Sequence, residues 1–116
     1  MAENNTIFGK ILRGEIPSEK VYEDERALAF KDINPAAPVH ILVIPKEHIV
    51  NLLDAEESHA ELLGHLMLVA AKDAREQGLE EDGFRLVANN GAGAGQTVFH
   101  LHLHVIGGRD LSWPPG

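Results

Sequence analysis

His100, His102 and His104 fall within five residues, separated by Leu101 and Leu103 and flanked by Phe99 and Val105. Side chains two apart on a strand share one face, about 6.6 Å from each other. This spacing puts the three imidazoles on one face and Phe99, Leu101, Leu103 and Val105 on the other. The apolar face reads as core. The imidazole face has no packing reason to be uniform, because each ring must be desolvated and each titrates near neutrality. Two chemistries suit such a row. Alternating imidazoles can ligate zinc or another transition metal, commonly with a carboxylate as a further ligand. Near this run in the sequence, only Asp110 could supply one. Alternatively, one imidazole attacks phosphorus while its other nitrogen is fixed by a hydrogen bond and its neighbours orient oxygens or serve the leaving group.

The preceding loop favours phosphorus. Gly91, Gly93 and Gly95 alternate, then Gln96 and Thr97 lead into the histidines. Glycines let backbone N–H groups turn towards an anion. Thr97 adds a hydroxyl, and Asn89 ends the preceding segment with an amide. Asp32 stands before the Asn34-Pro35 loop, where a carboxylate can accept hydrogen bonds from both hydroxyls of a ribose. No acidic pair suited to magnesium accompanies the motif, so the expected chemistry uses no metal and no cofactor. His48, His59 and His65 stand singly on expected helices and read as surface or helix-packing residues.

The elements that must carry these residues are short and closely connected. Ile7, Phe8, Ile11 and Leu12 predict a short amphipathic helix ended near Gly14 and Pro17. Residues 20–23 and 27–31 flank Asp24-Glu25-Arg26 as a hairpin, and residues 40–44 form an apolar strand closed by Pro45. Residues 56–77 predict one long helix, with Asp54 and Glu57 as a capping box and Gly78 as the left-handed terminator. Its apolar stripe is Leu62, Leu63, Leu66, Ala70 and Ala74. Residues 83–89 and 99–106 complete the strands. Strands in runs with few helices between them predict α+β with a mainly antiparallel sheet.

The 116 residues predict one domain over 1–116, with 44% hydrophobic and 24% charged residues. Eighteen acidic against ten basic residues give a net charge of −8, which argues against a general nucleic-acid binder. The chain has no cysteine, which excludes disulfides, thiolate zinc sites and cysteine nucleophiles. No run approaches the roughly 20 apolar residues of a membrane span. The polar start, MAENNTIFGK, lacks a signal-peptide apolar region, so a cytoplasmic protein with no membrane partner is expected.

His100-Leu-His-Leu-His-Val-Ile resembles the signature of the histidine triad family, His-φ-His-φ-His-φ-φ with φ apolar. Ile7-Phe-Gly-Lys-Ile, Ala29-Phe-Lys-Asp-Ile, Ala37-Pro-Val-His, Val43-Ile-Pro-Lys-Glu-His and the closing Gly107-Gly-Arg to Trp113-Pro-Pro-Gly resemble its Hint branch. The resemblance implies a five-stranded antiparallel sheet with one long and one short helix, pairing as a homodimer. It implies a purine nucleoside phosphoramidase that releases AMP and an amine through a nucleotidyl-histidine intermediate. By position, His102 resembles the nucleophile and His104 the phosphate contact that helps protonate the leaving amine. His40 and His100 match the histidines that orient the set. Asn89, Gly95, Gln96 and Thr97 match phosphate-side contacts, and Asp32 and Ile33 the ribose and base edge. Ile7, Phe8, Ile11, Phe30 and Leu42 resemble the walls of a purine slot. The tail, with Trp113, resembles an ending that reaches towards the partner protomer's site. A dinucleoside polyphosphate hydrolase of the same superfamily, or a metal-binding or interaction module with a vestigial triad, is the alternative reading.

Overall fold

Strand alternation divides the apolar residues between two layers. In the computed structural model, which describes residues 4–116, β1 (Lys20–Glu23), β2 (Ala27–Lys31), β3 (Val39–Pro45), β4 (Phe84–Val87) and β5 (Leu103–Gly107) form one antiparallel sheet. Its order is β1-β2-β3-β5-β4, so β1 and β4 are its edges. Ala27, Ala29, Ile41, Val43, Leu103 and Val105 point to one side. There they meet Leu66, Val69, Ala70 and Ala74 of the long helix α2 (Ala60–Glu76). Leu28, Phe30, Leu42 and Ile44 point to the other side, against Phe8 and Ile11 of the short helix α1 (Ile7–Leu12). The alanines of β2 let α2 approach closely, whereas the larger residues on the opposite face give α1 its footing. No helix among the described residues is long and apolar enough to cross a membrane.

Asp24 closes the β1–β2 hairpin. Its Oδ1 accepts the N–H groups of Arg26 (2.7 Å) and Ala27 (2.8 Å), while Oδ2 accepts Tyr22 OH (2.7 Å) and His65 Nε2 (2.6 Å). Burial works against the charge, but these four donors hold the carboxyl well below its usual range. His65 thereby ties α2 to the hairpin, which matches its reading as a packing residue.

Several expected boundaries move. The long helix begins at Ala60, after short 3-10 turns at Leu52–Asp54 and Glu57–His59. Its entry is set by His59, whose Nδ1 accepts the N–H of Glu56 (2.9 Å), rather than by Asp54 and Glu57. The last strand starts at Leu103, not at residue 99, because its partner β3 ends at Pro45. Beyond that point Leu101 N–H turns to the carbonyl of Ile49 (2.6 Å). Leu101 still joins the α2-side core, yet Phe99 is 46% exposed and lies outside it. The strand expected over residues 83–89 is confined to Phe84–Val87.

Asp73 lies on the inner face of α2, 1% exposed, with neither carboxylate oxygen hydrogen-bonded. Burial, aided by the nearby charge of Glu76 and opposed by Lys72, raises its pKa from 3.8 to about 6. A raised carboxyl pKa stabilises the fold fully below the unfolded-state value, and that contribution is lost as pH rises through the folded-state value. Asp73→Asn should therefore leave stability nearly unchanged at pH 4 and increase it by about 1–3 kcal/mol at pH 8. Urea unfolding at the two pH values measures this; an equal effect at both would show that no charge is buried here.

Candidate active site

The three alternating histidines do share one face, opposite Leu101, Leu103 and Val105, even though only His104 sits within β5. His102 lies between its neighbours: its ring is 4.9 Å from that of His104, and Phe8 of α1 meets it edge-on at 5.0 Å. His40 arrives from β3, where its pairing with Ile106 brings it beside His104, which is itself paired with Leu42.

Hydrogen bonds fix the tautomer of each ring. A carbonyl only accepts, so His102 Nδ1 carries the proton it donates to the His100 carbonyl (2.7 Å), and Nε2 keeps its lone pair. His100 Nε2 likewise donates to the Pro45 carbonyl (2.8 Å), leaving Nδ1 as an acceptor. The N–H of Ala36 donates to His40 Nδ1 (2.9 Å), so His40 Nε2 carries the proton and donates to His104 Nδ1 (2.9 Å). His104 Nε2 must then hold the remaining proton, and it is buried without a hydrogen-bond partner. The ring of His102, with its lone pair on Nε2, thus lies 4.9 Å from the ring of His104, which carries an unused N–H.

Burial disfavours the charged form of His100, His102 and His104. It lowers the pKa of His100 and of His104 to about 4, with neighbouring imidazoles pushing the same way, and lowers that of His102 as well. For His102 the bond to the His100 carbonyl and the charge of Asp32 oppose the shift.

The residues expected to wall a base slot come together. Ile7, Phe8, Ile11, Phe30, Leu42, Asp32 and Ile33 line one cleft of about 90 Å³ between α1 and the end of β2. Ile16, Pro17, Ser18 and Lys31 complete it and were not foreseen. Asp32 Oδ1 accepts the N–H of Asn34 (2.9 Å), and Oδ2 lies 3.5 Å from His40 Nε2. A carboxylate therefore does stand at the histidines, brought from the end of β2 rather than from Asp110. Ligand atoms of Asp32, His40 and His104 all lie within 4.8 Å of one another.

The glycine loop is built differently from the expected anion nest. Gly91 and Gly95 take positive φ (+94° and +98°), but the N–H groups of Gly91, Ala94, Gly95 and Gln96 bond within the loop. The Gln96 side chain is buried: it accepts from Gly91 N–H and donates to the carbonyls of Val50 (2.7 Å) and Val98 (3.1 Å). It holds the loop in shape. Thr97 is exposed, and Asn89 is half-buried beside Gly95. Trp113 is 82% exposed, in a tail anchored by Arg85, which donates to the Ser112 carbonyl (2.8 Å).

His48 corrects its helix assignment. It lies in the loop after β3, stacks on His100 (5.2 Å between centroids, 12° between planes) and bonds the Phe99 carbonyl (3.0 Å). Its position three residues past Pro45, at the end of a strand carrying His40, was the available signal.

Residues 13–111 match the HIT domain family. The chain belongs to that family. A HIT-like protein of Synechocystis is 60% identical over 116 residues, covering all of both chains. A 14 kDa zinc-binding protein of maize (Zea mays) is 53% identical over 116 residues, which are 98% of this chain and 90% of that protein. Among solved structures, a HIT family hydrolase from Legionella pneumophila superposes with a TM-score of 0.94 at 50% identity, covering 97% of this chain and all of that one. The five-stranded sheet with its long and short helices is thus the HIT fold, shared with that HIT family hydrolase.

Because a lowered imidazole pKa favours the neutral ring, His102 should keep its lone pair throughout the neutral range. A ring-nitrogen NMR titration should find His100 and His104 neutral at pH 6 and half-protonated only near pH 4, with His102 titrating below 6.5. Titration of His100 or His104 at 6.5 or above would break the tautomer assignment.

Proposed function

We propose that the protein hydrolyses adenosine 5′-phosphoramidates to AMP and an amine through a nucleotidyl adduct on His102. The observation that carries this reading is a fixed lone pair on His102 Nε2 and an unused N–H on His104, on rings 4.9 Å apart, with Phe8 of the apolar slot meeting His102 and Asp32 bordering that slot. The slot suits a flat base, and the free lone pairs of Asp32 suit ribose hydroxyls. Nε2 attacks phosphorus, the P–N bond breaks, and the departing nitrogen takes a proton from solvent. His104 is neutral, so its N–H serves by hydrogen bonding to the phosphoryl group and the leaving nitrogen rather than by giving up a spare proton. The phosphorylated ring is cationic, and its Nδ1–H remains on the His100 carbonyl. Water then attacks phosphorus, its proton returns to solvent, and Nε2 recovers its lone pair.

The maize relative is named for zinc binding, and Asp32, His40 and His104 converge. Their donor set does not fit a resident ion. A ligand nitrogen at His40 Nε2 would leave the ring proton on Nδ1, pointing at the N–H of Ala36 that now donates there.

A homodimer completes the proposal. The outer edge of β4 is unpaired, and next to it Leu52, Leu63, Met67, Leu86 and Ala88 line an apolar hollow of about 210 Å³. Met67 and Leu68 are exposed on α2. A second copy covering both features would remove an aggregation-prone edge and bury the patch. It would also give Trp113 a surface to meet.

His102→Ala should lower turnover of an adenosine phosphoramidate by roughly 10³-fold or more while AMP still binds. Acid-quenched wild type should gain the mass of one adenylyl group, on His102, and turnover should survive chelators. Appreciable turnover by the variant, or activity lost to chelation and restored by zinc, would overturn this reading. Sedimentation should report a dimer, and removal of residues 113–116 should alter the kcat/KM ratio between a slim and a bulky leaving amine. Unchanged ratios would separate the tail from the site.

A further inference from the structure

Asn4 precedes α1 and lies outside the residues that match the family, yet its side chain reaches 96 positions along the sequence to His100. Asn4 Nδ2 lies 2.9 Å from His100 Nδ1. The amide has only one workable orientation. Its Oδ1 accepts the backbone N–H of Thr6 (3.1 Å) and the Thr6 hydroxyl (2.7 Å). A backbone N–H can only donate, so the oxygen faces Thr6 and the NH₂ group faces His100. The same Thr6 hydroxyl accepts Gly9 N–H (3.0 Å) at the start of α1, and Arg13 donates to the Asn4 carbonyl (2.6 Å). Gly9 makes the room: a Cβ there would fall 2.4 Å from the Asn4 carbonyl oxygen and 2.5 Å from its Cγ.

We infer that Asn4 is a positioning residue: it confines His100 to the tautomer protonated at Nε2, and so holds the His100 carbonyl against Nδ1–H of His102. His100 is fully buried and joined at both ring nitrogens, to Asn4 on one side and the Pro45 carbonyl on the other. A proton on Nδ1 would face the NH₂ of Asn4, so both protonation and the other tautomer are opposed by a donor already in place. Since His100 supplies the carbonyl that orients His102, Asn4, Thr6, the start of α1 at Gly9, His100 and His102 form one hydrogen-bonded unit. The effect on rate rests on the reading of His102 as nucleophile; the effect on the His100 tautomer does not.

Asn4→Asp reverses the polarity of the contact, because a carboxylate accepts where the amide donates. The ring nitrogens of His100 should then show a protonated Nδ1 at neutral pH by long-range ¹⁵N–¹H correlation. Turnover of the adenosine phosphoramidate should fall by about 10–100-fold, with the acid limb of its pH profile moved upward. Asn4→Ala, which removes the donor without adding charge, should give interconverting His100 tautomers and settles the matter if the aspartate variant fails to fold. Gly9→Ala should reproduce the tautomer change by displacing Asn4. Unaltered His100 nitrogens in folded Asn4→Asp or Asn4→Ala protein would overturn the inference, whatever the outcome with the phosphoramidate. A changed tautomer with unchanged turnover would overturn its link to the nucleophile and leave the assignment of His102 to be judged by the adduct.

Discussion

The site depends on one bond, from Nδ1 of His102 to the carbonyl of His100 two residues earlier (2.7 Å). In a regular ladder, main-chain carbonyls are engaged by the neighbouring strand, and none is regularly left for a ring on the same strand. Residues 99–102 lie outside the ladder because β3 closes at Pro45, which lacks an N–H to offer. The departure frees the carbonyl of His100 while the alternation still presents all three rings together. A short strand is therefore what lets the histidine run act as a directed lone pair rather than as a row of interchangeable rings.

Burying several imidazoles is tolerable only when each stays neutral and each nitrogen is satisfied. His100 and His40 are hydrogen-bonded at both nitrogens. His104 departs from this at Nε2, which with the two oxygens of Asp73 makes up the unpartnered buried polar side-chain atoms among the described residues. The two cases differ in kind. Asp73 sits in the α2 interface away from the histidines, where its protonation relieves the burial of charge. His104 Nε2 ends a chain of bonds running from Ala36 through His40, so its direction is imposed from outside the ring. An orphan donor at the end of a satisfied chain is stored interaction energy for an incoming acceptor.

Much of the fold was legible because its signals are local. The hairpin around Asp24, the short helix at Ile7 and the α2 stripe follow from period and punctuation. The histidine face was legible for the same reason, whereas the slot residues came from the resemblance alone. What escaped the sequence is long-range. Asp32 comes to the histidines through strand pairing, His48 through a loop that folds back on His100, and Asn4 through a contact spanning almost the whole chain. The glycine loop misled because glycine permits a nest without requiring one; Gln96, buried beneath it, decides that its N–H groups turn inward. Phe99 misled because alternation was extended past the point at which the partner strand stops.

The loop between Pro35 and Pro38 decides which nitrogen of His40 carries the proton. Prolines fix φ and restrict the residue before them, which stiffens the turn that aims Ala36 N–H at His40 Nδ1. Arg109, just beyond β5, holds that turn from the other side, donating from Nε (3.2 Å) and Nη2 (3.0 Å) to the Ala36 carbonyl. With the peptide clamped, the proton of His40 is confined to Nε2, and His104 inherits a proton on its own Nε2. Had a carbonyl or carboxylate stood where Ala36 N–H stands, His40 would carry its proton on Nδ1 and offer a lone pair at Nε2, and with Asp32 and His104 it would make a credible zinc set. A single backbone N–H thus turns a group of residues with metal-ligand composition into a relay that ends in one directed N–H on His104, whose ring lies 4.9 Å from that of His102.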